Sequence, residues 1–164
     1  MSFSESLLPE FDQEMAATRK ILERVPEALF TWKPHEKSMT LGRLASHVAE
    51  MPSWADHSIT MDKLVIGPEM KPFNAPTSAE LLETFDKNLI AGRAALAGAT
   101  DDHLAKIWEL EYMGNVIISM PRTALLRSVV MNHMIHHRGQ LSVYLRLHDI
   151  PVPGMYGPSA DEKP

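Results

Sequence analysis

The chain has 164 residues, enough for one self-supporting hydrophobic core. Apolar residues make up 45% and charged residues 23%, a globular balance that argues against disorder. The formal net charge of -5, with no dense run of Lys and Arg, gives no electrostatic reason to expect nucleic acid or an anionic membrane surface.

Cysteine is absent, so the chain carries no disulfide, no thiolate metal ligand and no sulfur nucleophile. The first residues lack the basic start and apolar core of a secretory signal. No apolar run approaches the roughly 20 residues needed to span a bilayer. A cytoplasmic protein is the expectation.

From about residue 4 to 25, Leu8, Phe11, Met15, Leu22 and Val25 recur at helical spacing, which predicts a helix with one buried stripe. Pro26, Trp32 and Pro34 mark an extended connection. Thr40 reads as the cap of a second helix through Leu41, Leu44 and Val48 to about Lys63. Pro52 predicts a kink there or a division into two shorter helices. Residues 65–76, with three prolines and a glycine, read as a loop.

Thr77-Ser78-Ala79-Glu80 matches a capping box and opens a third helix, with Leu82, Phe85, Leu89 and Leu96 facing inward. Between Lys106 and Met120 two short apolar stretches flank Gly114-Asn115, a pattern compatible with a small hairpin. Pro121 suits the first turn of a last helix from about Arg122 to Leu147. With no repeat or linker, these elements predict a single domain over residues 1–164, all-α, built as a helical bundle.

The chemistry is concentrated in Met131-Asn132-His133-Met134-Ile135-His136-His137-Arg138-Gly139-Gln140. His133 and His137 are four apart, so their rings leave one helix face a turn apart and can converge on one ion. Val129, Ile135, Leu141, Tyr144 and Leu145 make this helix largely apolar, and buried imidazoles need partners that a metal can provide. His47, among Leu44, Val48 and Met51, is the third candidate ligand. His136 competes with His137, but the four-residue step from His133 is the better match. His35, His57, His103 and His148 read as surface or capping residues, and Arg138 and Arg146 as a solvated flank. Glu50, Trp54, Gln140 and Tyr144 are candidate pocket residues on the turns next to the ligands.

Two stretches resemble the DinB/YfiT-like metalloprotein superfamily. One is Trp32-x-Pro34 followed by Ser38-Met39-Thr40-Leu41-Gly42-x-Leu44-Ala45-x-His47. The other is His133-x-x-His136-His137-Arg138-Gly139-Gln140-Leu141 with Tyr144-Leu145-Arg146. The tail from Pro151 to Glu162 is similar as well. The resemblance implies an up-down four-helix bundle with one crossover, often dimeric, and one divalent ion, commonly zinc or nickel. The ion would be held by His47, His133 and His137. It further implies a transferase that joins a low-molecular-weight thiol to a small electrophile. Two alternatives stand beside it: a metal-dependent hydrolase, and a non-catalytic, stress-induced metal-binding bundle.

Overall fold

Ser2 opens the first helix reciprocally: its hydroxyl accepts from the Glu5 N–H, and the Glu5 carboxylate accepts from the Ser2 N–H. In the computed structural model, which describes residues 1–162, this helix, α1, spans Phe3–Leu22 and buries Leu7, Phe11, Met15 and Leu22. Helix α2, Leu41–Thr60, begins at Thr40, whose hydroxyl accepts from Arg43 N at 3.2 Å.

Pro52 does not divide α2, which runs through it as one helix. The turn that lacks the Pro52 N–H is braced from α3, Ser78–Gly98, where Asn88 donates to the Ala49 carbonyl at 3.0 Å. The two helices approach closely because Gly92 has no side chain. A Cβ there would lie 2.4 Å from the Pro52 carbonyl oxygen. Of the capping box read at the start of α3, the structure forms the hydroxyl half, Glu80 N donating to Thr77 Oγ1 at 3.1 Å.

The region read as a loop and an all-α fold needs correction. Lys63–Ile66 is a strand, β1, too short to show its period in sequence before Gly67-Pro68 ends it. After α3 and the single-turn α4, Asp101–Leu104, come β2, Ile107–Tyr112, and β3, Asn115–Pro121. The sheet has the order β1-β2-β3, with β1 parallel to β2 and β2 antiparallel to β3. Parallel pairing requires a long crossover, and α3 supplies it. The hairpin is present, but its two-residue turn is Met113-Gly114, with φ of 50° and 80°, one position earlier than the Gly-Asn pair. The fold is therefore mostly helical with a small three-stranded sheet. Trp108 and Leu110 give that sheet an inner face packed against Leu125, Trp54 and Val129.

From Pro121 onward α5, Arg122–Leu125, a π-helical stretch, Leu126–Asn132, and α6, His133–Arg146, follow without a break. Helices α1, α2, α3 and α6 share one core that includes Phe11, Leu44, Phe85 and Leu141. Among the described residues no helix is long and apolar enough to cross a membrane.

Two arginines lie inside this framework. Arg122 donates to the carbonyls of Ser58 at 2.8 Å, Met61 at 3.1 Å and Ile107 at 3.1 Å, tying the end of α2 to the start of β2. Arg138, expected on a solvated flank, is instead buried, its side chain 2% exposed, against the also buried Glu14 of α1 at 2.6 Å. The same guanidinium donates to Thr18 Oγ1 at 3.1 Å and to the Tyr156 hydroxyl at 2.7 Å. Arg146 stays exposed and pairs with Asp161.

Losing one member of a buried ion pair leaves the other charge uncompensated. Arg138→Met is therefore expected to lower unfolding free energy by about 3–5 kcal/mol. The double variant Glu14→Leu/Arg138→Met should recover much of it, as read by denaturant titration. A single variant as stable as the parent would refute the assignment.

Candidate metal centre

Helix α2 carries His47 and α6 carries His133 and His137, and the packing of these helices brings the three rings together. One ring nitrogen from each lies within 4.8 Å of the others. His133 Nε2 is 2.8 Å from His137 Nε2 and 3.5 Å from His47 Nε2. Ligands at about 2.0–2.1 Å from one ion with tetrahedral angles stand roughly 3.3 Å apart, between these two separations. Among the described residues this is the group of three or more donors close enough to share a cation, and no fourth carboxylate or imidazole joins it.

The outward ring nitrogens favour the same use. His137 Nδ1 donates to Gln140 Oε1 at 2.8 Å, which leaves Nε2 as a lone pair aimed into the cluster. Glu50 Oε2 stands 3.8 Å from His47 Nδ1. The Gln140 bond is the kind of outer contact that fixes the tautomer and orientation of a metal-bound imidazole, whereas the Glu50 carboxylate lies beyond hydrogen-bond distance. Burial, above all, pushes His137 down to about 4, against the Gln140 bond, with further lowering by His47, His133 and His136. Burial and the neighbouring His47 lower His133 as well, against the Val129 backbone. Both rings are therefore neutral at pH 7, the state in which imidazole binds metal. The donor set fits one divalent ion.

The π-helical stretch ends where His133 begins, and its wider turn sets the rotational phase from which both α6 histidines project. No spacing in the sequence announces it.

A cleft of about 390 Å³ abuts the cluster along α2. Of the candidate pocket residues, Glu50 and Trp54 line it together with His47. Gln140 is exposed and bonded to His137, outside the cleft lining. Tyr144 lies elsewhere: its ring meets Trp32 edge-on at 5.6 Å, and its hydroxyl donates to Met39 O at 3.4 Å. His136 is exposed, its ring centroid 5.0 Å from that of His137. His103 contacts the Ile59 carbonyl at 2.7 Å near the end of α2, and His148 packs on Trp32 at 4.3 Å.

The rest of the cleft lining escaped the sequence reading, Arg43, His57 and Tyr112 among it. Arg43, Glu50 and His57 recur every seven positions of α2, a signal that was available in the sequence. Tyr112 depends on the sheet and gave no such signal. Arg43 Nη1 pairs with Glu50 at 3.3 Å and donates to the Phe73 carbonyl at 3.2 Å, while Glu50 accepts from Phe73 N at 3.2 Å. This clamp fixes the segment after β1 as the lip of the cleft.

Replacing His47, His133 or His137 by Ala is expected to weaken divalent-ion binding at least 100-fold by calorimetry. His136→Ala should leave it within threefold of the parent, and Gln140→Ala should cost about 10–100-fold. Binding that survives all three ligand substitutions would sink the site. The metal-free protein has its own signature. A folded-state value near 4 for His137 lies below the ordinary imidazole value, so the unfolded chain takes the proton more readily. The stability this group contributes is complete above about pH 6.5 and is lost as pH falls toward about 4. Thermal melts of chelated protein should therefore descend across that window, and His137→Asn should flatten the descent.

The model of the DinB family matches residues 1–163. An uncharacterized protein, YrdA, of Bacillus subtilis (strain 168) is 29% identical over 157 residues, covering 94% of this chain and 89% of its own. The crystal structure of a DinB-like protein from Bacillus cereus ATCC 10987 superposes with a TM-score of 0.72 at 26% identity, covering 93% of this chain and 97% of that one. A second DinB-like structure, YjoA of Bacillus subtilis, has a TM-score of 0.65 at 19% identity, over 89% and 96% of the two chains, and speaks to the fold alone. With its whole length matched in this way, the chain belongs to the DinB family.

Proposed function

We propose that this protein is a metal-dependent transferase, an up-down four-helix bundle by its long helices, that joins a low-molecular-weight thiol to a small electrophile. The observation that carries the reading is a three-histidine donor set, without a fourth protein ligand among the described residues, beside an open cleft. Structural ions are usually closed by four protein ligands, whereas catalytic ions keep a position for a reactant. Glu50, the nearest carboxylate, has its oxygens engaged by Arg43 and by Phe73 N, which keeps it from closing the site.

A divalent ion held by His47, His133 and His137, zinc or nickel by the family resemblance, would supply the Lewis acidity that deprotonates a thiol near neutral pH. The chain has no cysteine, so the sulfur must arrive with a co-substrate. In the net reaction the S–H bond and the bond from carbon to its leaving group break. A C–S bond forms, and the proton ends on the leaving group or, through buffer, in solvent. Gln140 holds the orientation of His137, and the Arg43–Glu50 clamp holds the Phe73 backbone at the cleft lip.

The test is a panel of thiols (glutathione, bacillithiol, mycothiol and cysteine) against haloaromatic and epoxide electrophiles, with parent protein and His133→Ala. Conjugate formation should appear with at least one thiol, vanish with chelator and return when Zn2+ or Ni2+ is restored. His133→Ala should lose at least about 1,000-fold, the scale of deleting a group that stabilises transition-state charge. No chelator-sensitive turnover with any thiol would overturn S-transfer.

A further inference from the structure

Beyond the three histidines, the cleft has a chemistry of its own. Its walls are Trp54 from α2, Leu64 and Ile66 from β1, Met70 and Pro72 from the lip, and Tyr112 from the end of β2. Ile66 and Tyr112 are register partners across the parallel strand pair, so they stand side by side. Met70 is 53% exposed and Tyr112 50% exposed, apolar surface that no segment of the described chain covers.

The polar groups nearest the donor cluster are engaged. Arg43 and Glu50 neutralise one another and bind the Phe73 backbone, and His47 belongs to the metal cluster. The remaining polar side chains of the lining are Ser53, which donates to the Glu50 carbonyl, and His57 and Lys71, set among mainly apolar walls. A flat apolar body would find two aromatic side chains and a thioether, which favour ring edges and faces. The volume, about 390 Å³, suits a molecule of one or two rings. The cleft is continuous with the donor cluster through His47, which lines both.

We propose that this cleft is the acceptor subsite, binding the ring-bearing apolar body of the electrophile between Trp54 and Tyr112, with its reactive end toward His47. The assignment rests on the transferase reading for the word acceptor, but its test does not. N-phenyl-1-naphthylamine, a neutral two-ring dye, would be titrated by fluorescence into full-length protein, metal-loaded and chelated.

One saturable site per chain is expected, with dissociation constants of the two forms within about twofold of each other. Tyr112→Ser and Met70→Ser, both at half-exposed positions, should each weaken binding about tenfold, the scale of losing one apolar side-chain contact. Ile117→Ser, also exposed but on β3 and outside the cleft lining, should leave it unchanged. No saturable binding, or binding indifferent to Tyr112→Ser and Met70→Ser, would overturn the subsite. Dye binding that follows this pattern while every thiol fails would uphold the subsite and reject only the transferase.

Discussion

The site depends on the angle at which α6 is turned about its own axis. Consecutive residues on a helix project about 100° apart, so His137 and Arg138 cannot face the same neighbour. Arg138 is committed to α1, where Glu14 and Thr18 hold its guanidinium in the dry interior. With that direction fixed, His133 and His137 are turned toward His47 on α2. A buried ion pair adds little net stability over an apolar pair of the same size, but a mispaired one is costly. Its contribution here is to make one rotation of α6 much better than the rest.

The same logic explains why the tail lies where it does. The Tyr156 hydroxyl donates to Glu14 Oε2 at 2.9 Å and accepts from Arg138, completing a network that would otherwise leave lone pairs unmet. Burial and the bond to Glu14 push the Tyr156 phenol above its usual range, keeping it protonated and a donor. Asp161 accepts from Val152 N and pairs with Arg146, and Glu162 accepts from Gly154 N, so the tail is folded onto α6 by its own acids.

How much of this was legible in the sequence follows from the range over which each feature is encoded. The long helices and their caps at Thr40 and Thr77 were readable, because periodicity and capping are local. The four-residue step from His133 to His137 was readable for the same reason, and His47 stood out on an apolar stripe. β1 was not, since Lys63-Leu64-Val65-Ile66 becomes a strand only by pairing with residues more than 40 positions away. Arg138 was misread because an arginine beside histidines looks solvated until its carboxylate is found on another helix. Tyr144 follows His137 by seven positions, yet its ring is drawn to Trp32, a partner the helical wheel does not contain. Local rules picked out the three histidines that the fold brings together; the walls of the cleft came from contacts distant in sequence.

Arg122 has a dynamic consequence. One guanidinium at the head of the C-terminal rod grips carbonyls from the end of α2 and the beginning of β2. Neither strand nor helix terminus can then open alone without stranding a buried positive charge, which costs far more than fraying an ordinary end. The seam between sheet and helices should therefore exchange its amide protons as one cooperative unit. The cleft that His47 lines is then bounded by a wall whose breathing is coupled to the helix that carries His47.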